Sequence, residues 1–222
     1  MAPNSPSSRL VTAAAREVLR PLGLQQRGRS RTWLDDQGWW LGVVEFQPSS
    51  WGQGTYLSVG AMWLWDDADY LAFHVGGREA GHESYKDEAQ FASLAMDMAR
   101  LAASRTVEYR GLFTSPTSTA KYLAAHSAQR GNAWDNYHAG VAAGLVGDAD
   151  TARDRLARAT QQFSGTDIPW RVQAHQTSLQ LRDMADDAEA LRSWAAERIT
   201  SCRQKLKLGP SPAGLPEELQ LP

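Results

Sequence analysis

Trp39-Trp40-Leu41-Gly42-Val43-Val44-Glu45-Phe46-Gln47 is rich in aromatic and β-branched residues, the side chains that suit a pleated strand. Trp39, Leu41 and Val43 fall on one side of it, and Trp40, Val44 and Phe46 on the other. A strand apolar on both faces belongs in the middle of a sheet covered from both sides. The neighbouring sequence extends this strand into a β-meander. Residues 29–34 predict a preceding strand, and Asp35-Asp36-Gln37-Gly38 a turn with glycine placed for a positive φ. Residues 48–54 predict a loop and 55–65 a third strand, in which Leu57, Val59, Ala61 and Trp63 alternate with Tyr56, Ser58, Gly60 and Met62. Residues 70–75 are a candidate fourth strand, broken by Gly76-Gly77 and Gly81.

Helical periodicity flanks this sheet. Over residues 9–20, Leu10, Val11, Ala14, Ala15, Val18 and Leu19 form one stripe, with Ser8 as the expected cap and Pro21 with Gly23 as the stop. From Asp87 onward Phe91, Leu94, Ala95, Met98, Leu101 and Ala102 share a face, while residues 107–113 read equally as a strand or a helix end. Ser115-Pro116 is a helix start signal, a capping residue followed by proline in the first turn. Helices are then predicted at 116–129, 133–146, 149–163, 169–185 and 187–206. The expected fold is α+β: an N-terminal helix and a small antiparallel β-meander, then an all-α region of four to five helices. The expected organisation is a disordered start (1–8), an α+β domain (9–114), a helical region (115–208) with no distinctive linker before it, and a disordered Pro-rich tail (209–222).

Composition narrows the class. The 222 residues are 42% hydrophobic and 22% charged with a net charge of −2, values of an ordinary globular chain. No run of eighteen apolar residues exists to predict a membrane span, and the first eight residues lack the basic and apolar regions of a secretory signal. One cysteine, Cys202, excludes an internal disulfide framework and a multi-cysteine zinc site. The 19 Arg against four Lys and 33 Ala against two Ile are the skew of a GC-rich genome, so a bacterial, cytoplasmic protein is expected. Nine tryptophans, six of them between Trp33 and Trp65, call for burial in the sheet or exposure at an interface.

Two resemblances follow from particular residues. Val18-Leu19-Arg20-Pro21-Leu22-Gly23-Leu24, then the basic turn Arg27-Gly28-Arg29-Ser30-Arg31, then Thr32-Trp33, Val44-Glu45-Phe46-Gln47-Pro48 and Leu57-Ser58-Val59-Gly60, resemble the bacterial family known as domain of unknown function 4304 across residues 9–115. That resemblance implies a fold and cytoplasmic life, with no activity to carry over. Gly140, Gly147, Ala152, Leu156 and Ala159 resemble the packing positions of a tetratricopeptide helix hairpin across residues 133–163. Small residues there imply close helix crossing, with Gly147-Asp148 as the turn between the helices.

No His-x-x-x-His pair, phosphate loop, nucleophile elbow or dinucleotide fingerprint is present, so neither a metal, a cofactor nor a catalytic set is predicted. Cys202 lacks a neighbouring base and reads as a structural thiol. Arg27, Arg29 and Arg31 are too few, in an acidic chain, to predict nucleic acid as a partner. Trp40, Trp51 and Trp65, with the acidic stretch Asp66, Asp67 and Asp69, are the candidate surface for a protein partner. Residues 66–100 carry a net charge of −5. The leading expectation is therefore a non-enzymatic, cytoplasmic protein-binding module, in its most specific form an inhibitor or immunity-type protein. The alternative is a small-molecule binder or enzyme with a pocket between sheet and helices, lined by Arg31, Glu45, His74, His82, Asp135 and His138.

Overall fold

The fold is α+β, and the computed structural model describes residues 5–49, 52–211, 216, 219 and 220. The chain forms two compact units. The first takes the chain up to Met62 together with Tyr70–Gly111, and the second takes Trp63–Asp69 with Leu112–Gly209.

The first unit opens with α1 (Pro6–Leu19). Its cap is Ser5, whose side chain accepts from the Ser8 amide at 3.3 Å, so the helix begins earlier than the expected Ser8 cap because Pro6 occupies the first turn. Gly23, at φ +87°, ends the short turn that follows. Five strands come next: β1 (Gln25–Gln26), β2 (Thr32–Asp36), β3 (Trp40–Pro48), β4 (Gly54–Trp63) and β5 (Val75–Ser84). They lie in chain order in one antiparallel sheet. The central strand is β3, where Trp40, Leu41, Gly42, Val43 and Val44 are all buried, as a two-faced apolar strand requires. Between β2 and β3, Gly38 has φ +85° and its amide donates to the Asp36 carboxylate at 3.0 Å.

Two expectations are corrected in this unit, and one open reading is decided. Residues 29–31 are turn rather than strand, because Ser30 folds back on Arg27 through both its amide and its hydroxyl. The fourth strand is not 70–75 but β5, which runs through the very glycines expected to end it. Gly76 sits at φ +85° against the Tyr109 hydroxyl and the backbone of Val59, so glycine here admits a close approach instead of breaking the strand. Residues 107–112 are the end of α2 (Glu88–Leu112), with Phe113 just beyond it, and within the helix the Thr106 hydroxyl is satisfied by the Ala102 carbonyl at 2.9 Å.

One ion pair ties these elements together. Asp35, at the end of β2, is 2% exposed. Arg110 of α2 donates to it through Nε at 2.8 Å and Nη2 at 2.5 Å, and Nη2 also reaches the Leu22 carbonyl at 2.8 Å. The bond to Asp35 raises the Arg110 pKa above its ordinary value. Gly42 faces Asp35 across the ladder, where a Cβ would come within 2.9 Å of the Asp35 Cβ.

The second unit is helical: α3 (Pro116–Arg130), α4 (Ala133–Leu145), α5 (Ala149–Phe163), α6 (Pro169–Asp183) and α7 (Ala188–Leu206). Four caps start helices at the expected places: Ser115, Asn132, Asp148 and Asp187 each accept an amide of the first turn. Gly140 of α4 meets α5 so closely that a Cβ would lie 2.6 Å from Leu156 Cγ. The unit also takes in the segment after β4, where Leu64–Asp66 form a 3-10 turn rather than strand. Three residues of α7 hold that turn. Arg198 Nε donates to the Trp65 carbonyl at 3.1 Å, the Cys202 thiol to Ala68 at 3.4 Å, and Lys205 Nζ to Asp67.

No described helix is long and apolar enough to cross a membrane. Of the terminal segments expected to be disordered, residues 1–4 and 212–215, 217–218 and 221–222 lie outside the described residues, while Leu219 is buried.

Asp35→Ala leaves Arg110 without its carboxylate. The substitution is expected to cost about 3 kcal/mol, the low end for breaking a buried pair because Arg110 still reaches solvent. Urea denaturation monitored by tryptophan fluorescence measures it; a loss below about 1 kcal/mol would show the pair to be peripheral.

Candidate functional site

Two surfaces stand out, one in each unit. In the first unit a cleft of about 610 Å³ lies between α1 and the ends of β2 and β3. Its helical wall is Arg9, Thr12, Ala13 and Arg16, spaced so that one face of α1 supplies them all. Its floor is the turn Gly28-Arg29-Ser30-Arg31, the start of β2 at Thr32 and the end of β3 at Glu45 and Phe46. The turn is held in place from below: Gln26 Nε2 donates to the Ser30 carbonyl at 2.7 Å, and the Arg27 amide to the Thr32 carbonyl at 2.9 Å. Gly28, at φ +58°, supplies the left-handed residue this tight turn needs.

The cleft is strongly cationic. Four arginines line it against one carboxylate, Glu45. Arg9 makes a 3.6 Å ion pair with Glu88 at the surface, and Arg16 spans 3.3 Å to the neutral Gln26 amide oxygen. Arg31 differs from both. Its Nη1 is buried and has no hydrogen-bond partner among the described residues, and burial pushes its pKa down. A buried charged donor left unpaired costs more than the ~1–3 kcal/mol of a neutral one.

In the second unit, aromatic rings form a column from the interior to the surface. Trp63 stacks on Trp65 with centroids 5.2 Å apart. Trp65 Nε1 donates to His138 Nδ1 at 3.2 Å, which fixes that nitrogen as an acceptor. His138 stacks on Trp134 at 5.8 Å, and Trp134 on Trp170 at 6.2 Å. Tyr137 is buried beside them, and desolvation pushes its hydroxyl pKa up. The column ends in water: Trp134 is 37%, Ile168 43% and Trp170 55% exposed. These are three of the five large apolar side chains exposed among the described residues.

The predicted protein-binding residues do not form a common surface. Trp40 and Trp65 are 1% and 0% exposed, because β3 is covered on both faces and the 3-10 turn is tucked against α7. Trp51 lies outside the described residues. Asp67 is held by Lys205 at 2.8 Å, Asp66 is half-buried, and Asp69 is exposed.

Of the predicted pocket residues, Arg31 and Glu45 do line one cleft. His82 is exposed on β5, bonded to the Ser84 hydroxyl at 3.1 Å and tilted against Tyr56. His74 precedes β5, its amide donating to the Ala61 carbonyl at 2.9 Å. Asp135 is engaged by the side chain of the α4 cap residue Asn132, and His138 by Trp65, so each has a structural task.

Trp134, Ile168 and Trp170 went unread because they stand outside the tryptophan-dense segment. One signal was present: Trp170 continues the buried α6 stripe Ala174, Ser178 and Leu181 by one more turn. Comparison with family models, with curated proteins and with solved structures finds no match to this chain.

Cys202 is fully buried, and desolvation raises its thiol pKa to about 11. A raised pKa keeps the thiol protonated across neutral pH, so an aromatic disulfide reagent at pH 8 is expected to leave the folded protein unlabelled. Labelling should appear on unfolding, or as pH rises toward 11. Rapid stoichiometric labelling at pH 8 would show a reactive thiol.

Proposed function

We propose that the protein is a binding module for a protein partner, engaged through the exposed aromatic surface of its helical unit. The observation that carries this reading is the stacked pair Trp134 and Trp170, with Ile168 two residues before Trp170 in the chain, all open to solvent. Large apolar side chains exposed together are costly to hydrate, and tryptophan is the side chain most enriched where partners bind tightly. The pair is also rigid. Trp134 rests edge-on against Phe163 at 5.0 Å and face-on against His138, so little side-chain entropy remains to be lost on docking. Polar and charged groups flank it, with Arg171 bonded to the Gln162 carbonyl at 2.6 Å and Asp167 exposed, the apolar centre and polar rim of a protein interface. An inhibitor acting on a cytoplasmic protein is one form this module takes.

A second reading, small-molecule binding, is favoured by one specific observation: Arg31 and Glu45 face the same cleft of the first unit.

The test of the first reading is comparative. Tagged wild-type protein and a Trp134→Ala/Trp170→Ala variant are used to capture partners from the native host, with the far-UV spectrum confirming that the variant is folded. A stoichiometric protein retained by the wild type should be lost, or bound at least tenfold more weakly, by the variant. Equal retention by both would remove the aromatic surface from the interaction.

A further inference from the structure

Arg31 is the group in the first unit whose chemistry is incomplete. It is placed by a turn that is itself fixed through Gln26, Arg27 and Ser30, so its position does not depend on a ligand. Its Nη1 is buried and has no acceptor among the described residues, so a ligand meets the remaining face of the guanidinium, by which Arg31 lines the cleft. A guanidinium stays charged throughout the physiological range and presents a planar fork that matches the edge of an oxyanion. Arg16 and Arg29 line the same cleft, both exposed at their ends.

We propose that this cleft binds a small phosphate monoester, with Arg31 and Arg29 holding the phosphate oxygens, Arg16 adding charge from α1, and Glu45 accepting from a hydroxyl or amine of the same ligand. The proposal rests on the small-molecule reading and names its ligand class. Charge selects phosphate over a monocarboxylate: with Arg9 paired to Glu88, three guanidiniums against Glu45 leave an excess of two that a dianion balances better than a monoanion. Volume selects a small organic ester over a bare ion, since about 610 Å³ lies within the range of metabolite sites. Glu45 selects against a polyanionic backbone, which would bring phosphate after phosphate past a fixed negative charge in a chain already at −2. The site lies wholly within the first unit, so its failure leaves the aromatic surface of the helical unit untouched.

The experiment uses the full chain, with isothermal titration and thermal shift as readouts. The probes are inorganic phosphate, glucose 6-phosphate, adenosine monophosphate, citrate, and a short single-stranded oligonucleotide. At least one phosphate monoester is expected to bind the wild type, and to bind Arg31→Met at least tenfold more weakly. Without ligand, Arg31→Met should melt at or above the wild-type temperature, because the buried Nη1 has no partner among the described residues to lose; a structural Arg31 would instead show a lowered melting temperature. Glu45→Gln, which removes the one carboxylate lining the cleft, should bind inorganic phosphate more tightly than the wild type does and narrow the preference for the organic ester. Arg31-dependent binding of citrate alone would overturn the phosphate class while keeping the small-molecule reading. Oligonucleotide binding that depends on Arg31 and exceeds that of the monoesters would overturn the small-ligand class. No binding of any probe, or binding unchanged in Arg31→Met, would overturn both the proposal and the reading beneath it.

Discussion

The first unit depends on the Asp35–Arg110 pair. A carboxylate buried at the end of β2 is tolerable because a guanidinium from α2 meets it with two parallel bonds and Gln37 Nε2 donates a third at 3.0 Å. The same guanidinium reaches back to the Leu22 carbonyl just after α1. Three segments far apart in sequence are thus held at one point, and α1 and β2 are the two sides of the cationic cleft. The distance between the cleft's wall and its floor is therefore set by an ion pair that does not itself line the cleft. Gly42 belongs to the same device, since a side chain there would crowd Asp35 out of reach of Arg110.

The helical unit was the more legible part of the sequence. Its helices announce themselves locally: Ser115, Asn132, Asp148 and Asp187 act through bonds within one turn, and Pro169 through its fixed φ in the first turn. The centre of the sheet was legible for a similar reason, because β3 carries its burial pattern in its own residues. What failed was β5. Glycine marks backbone freedom, and sequence alone does not distinguish a chain break from a place where Tyr109 needs room against Gly76.

The site residues were legible only in part, and for physical reasons. Arg31 and Glu45 were singled out, but a turn shared with Gly28 and Ser30 replaced the strand that would have sent Arg31 to a solvated edge. Arg9 and Arg16 do not stand out as cleft residues in a chain where almost every cation is arginine. Trp40 and Trp65 were credible surface residues until their neighbours were known. Hydrophobic side chains do not reveal whether a partner is internal or external, as buried Trp40 and Trp65 against exposed Trp134 and Trp170 show.

The turn at Leu64–Asp66 has a consequence for how the polypeptide can be dissected. The helical unit is completed by seven residues, Trp63–Asp69, that precede the 42 residues Tyr70–Gly111 of the other unit in the chain. Trp65 is the donor to His138, and Arg198, Cys202 and Lys205 all terminate on that short segment. A fragment beginning near residue 112 would contain every helix of the unit and still lack the peptide on which α7 closes. The two units are interleaved in sequence, so no single cut yields both whole. During synthesis the peptide that α7 needs is made first, and must wait for it.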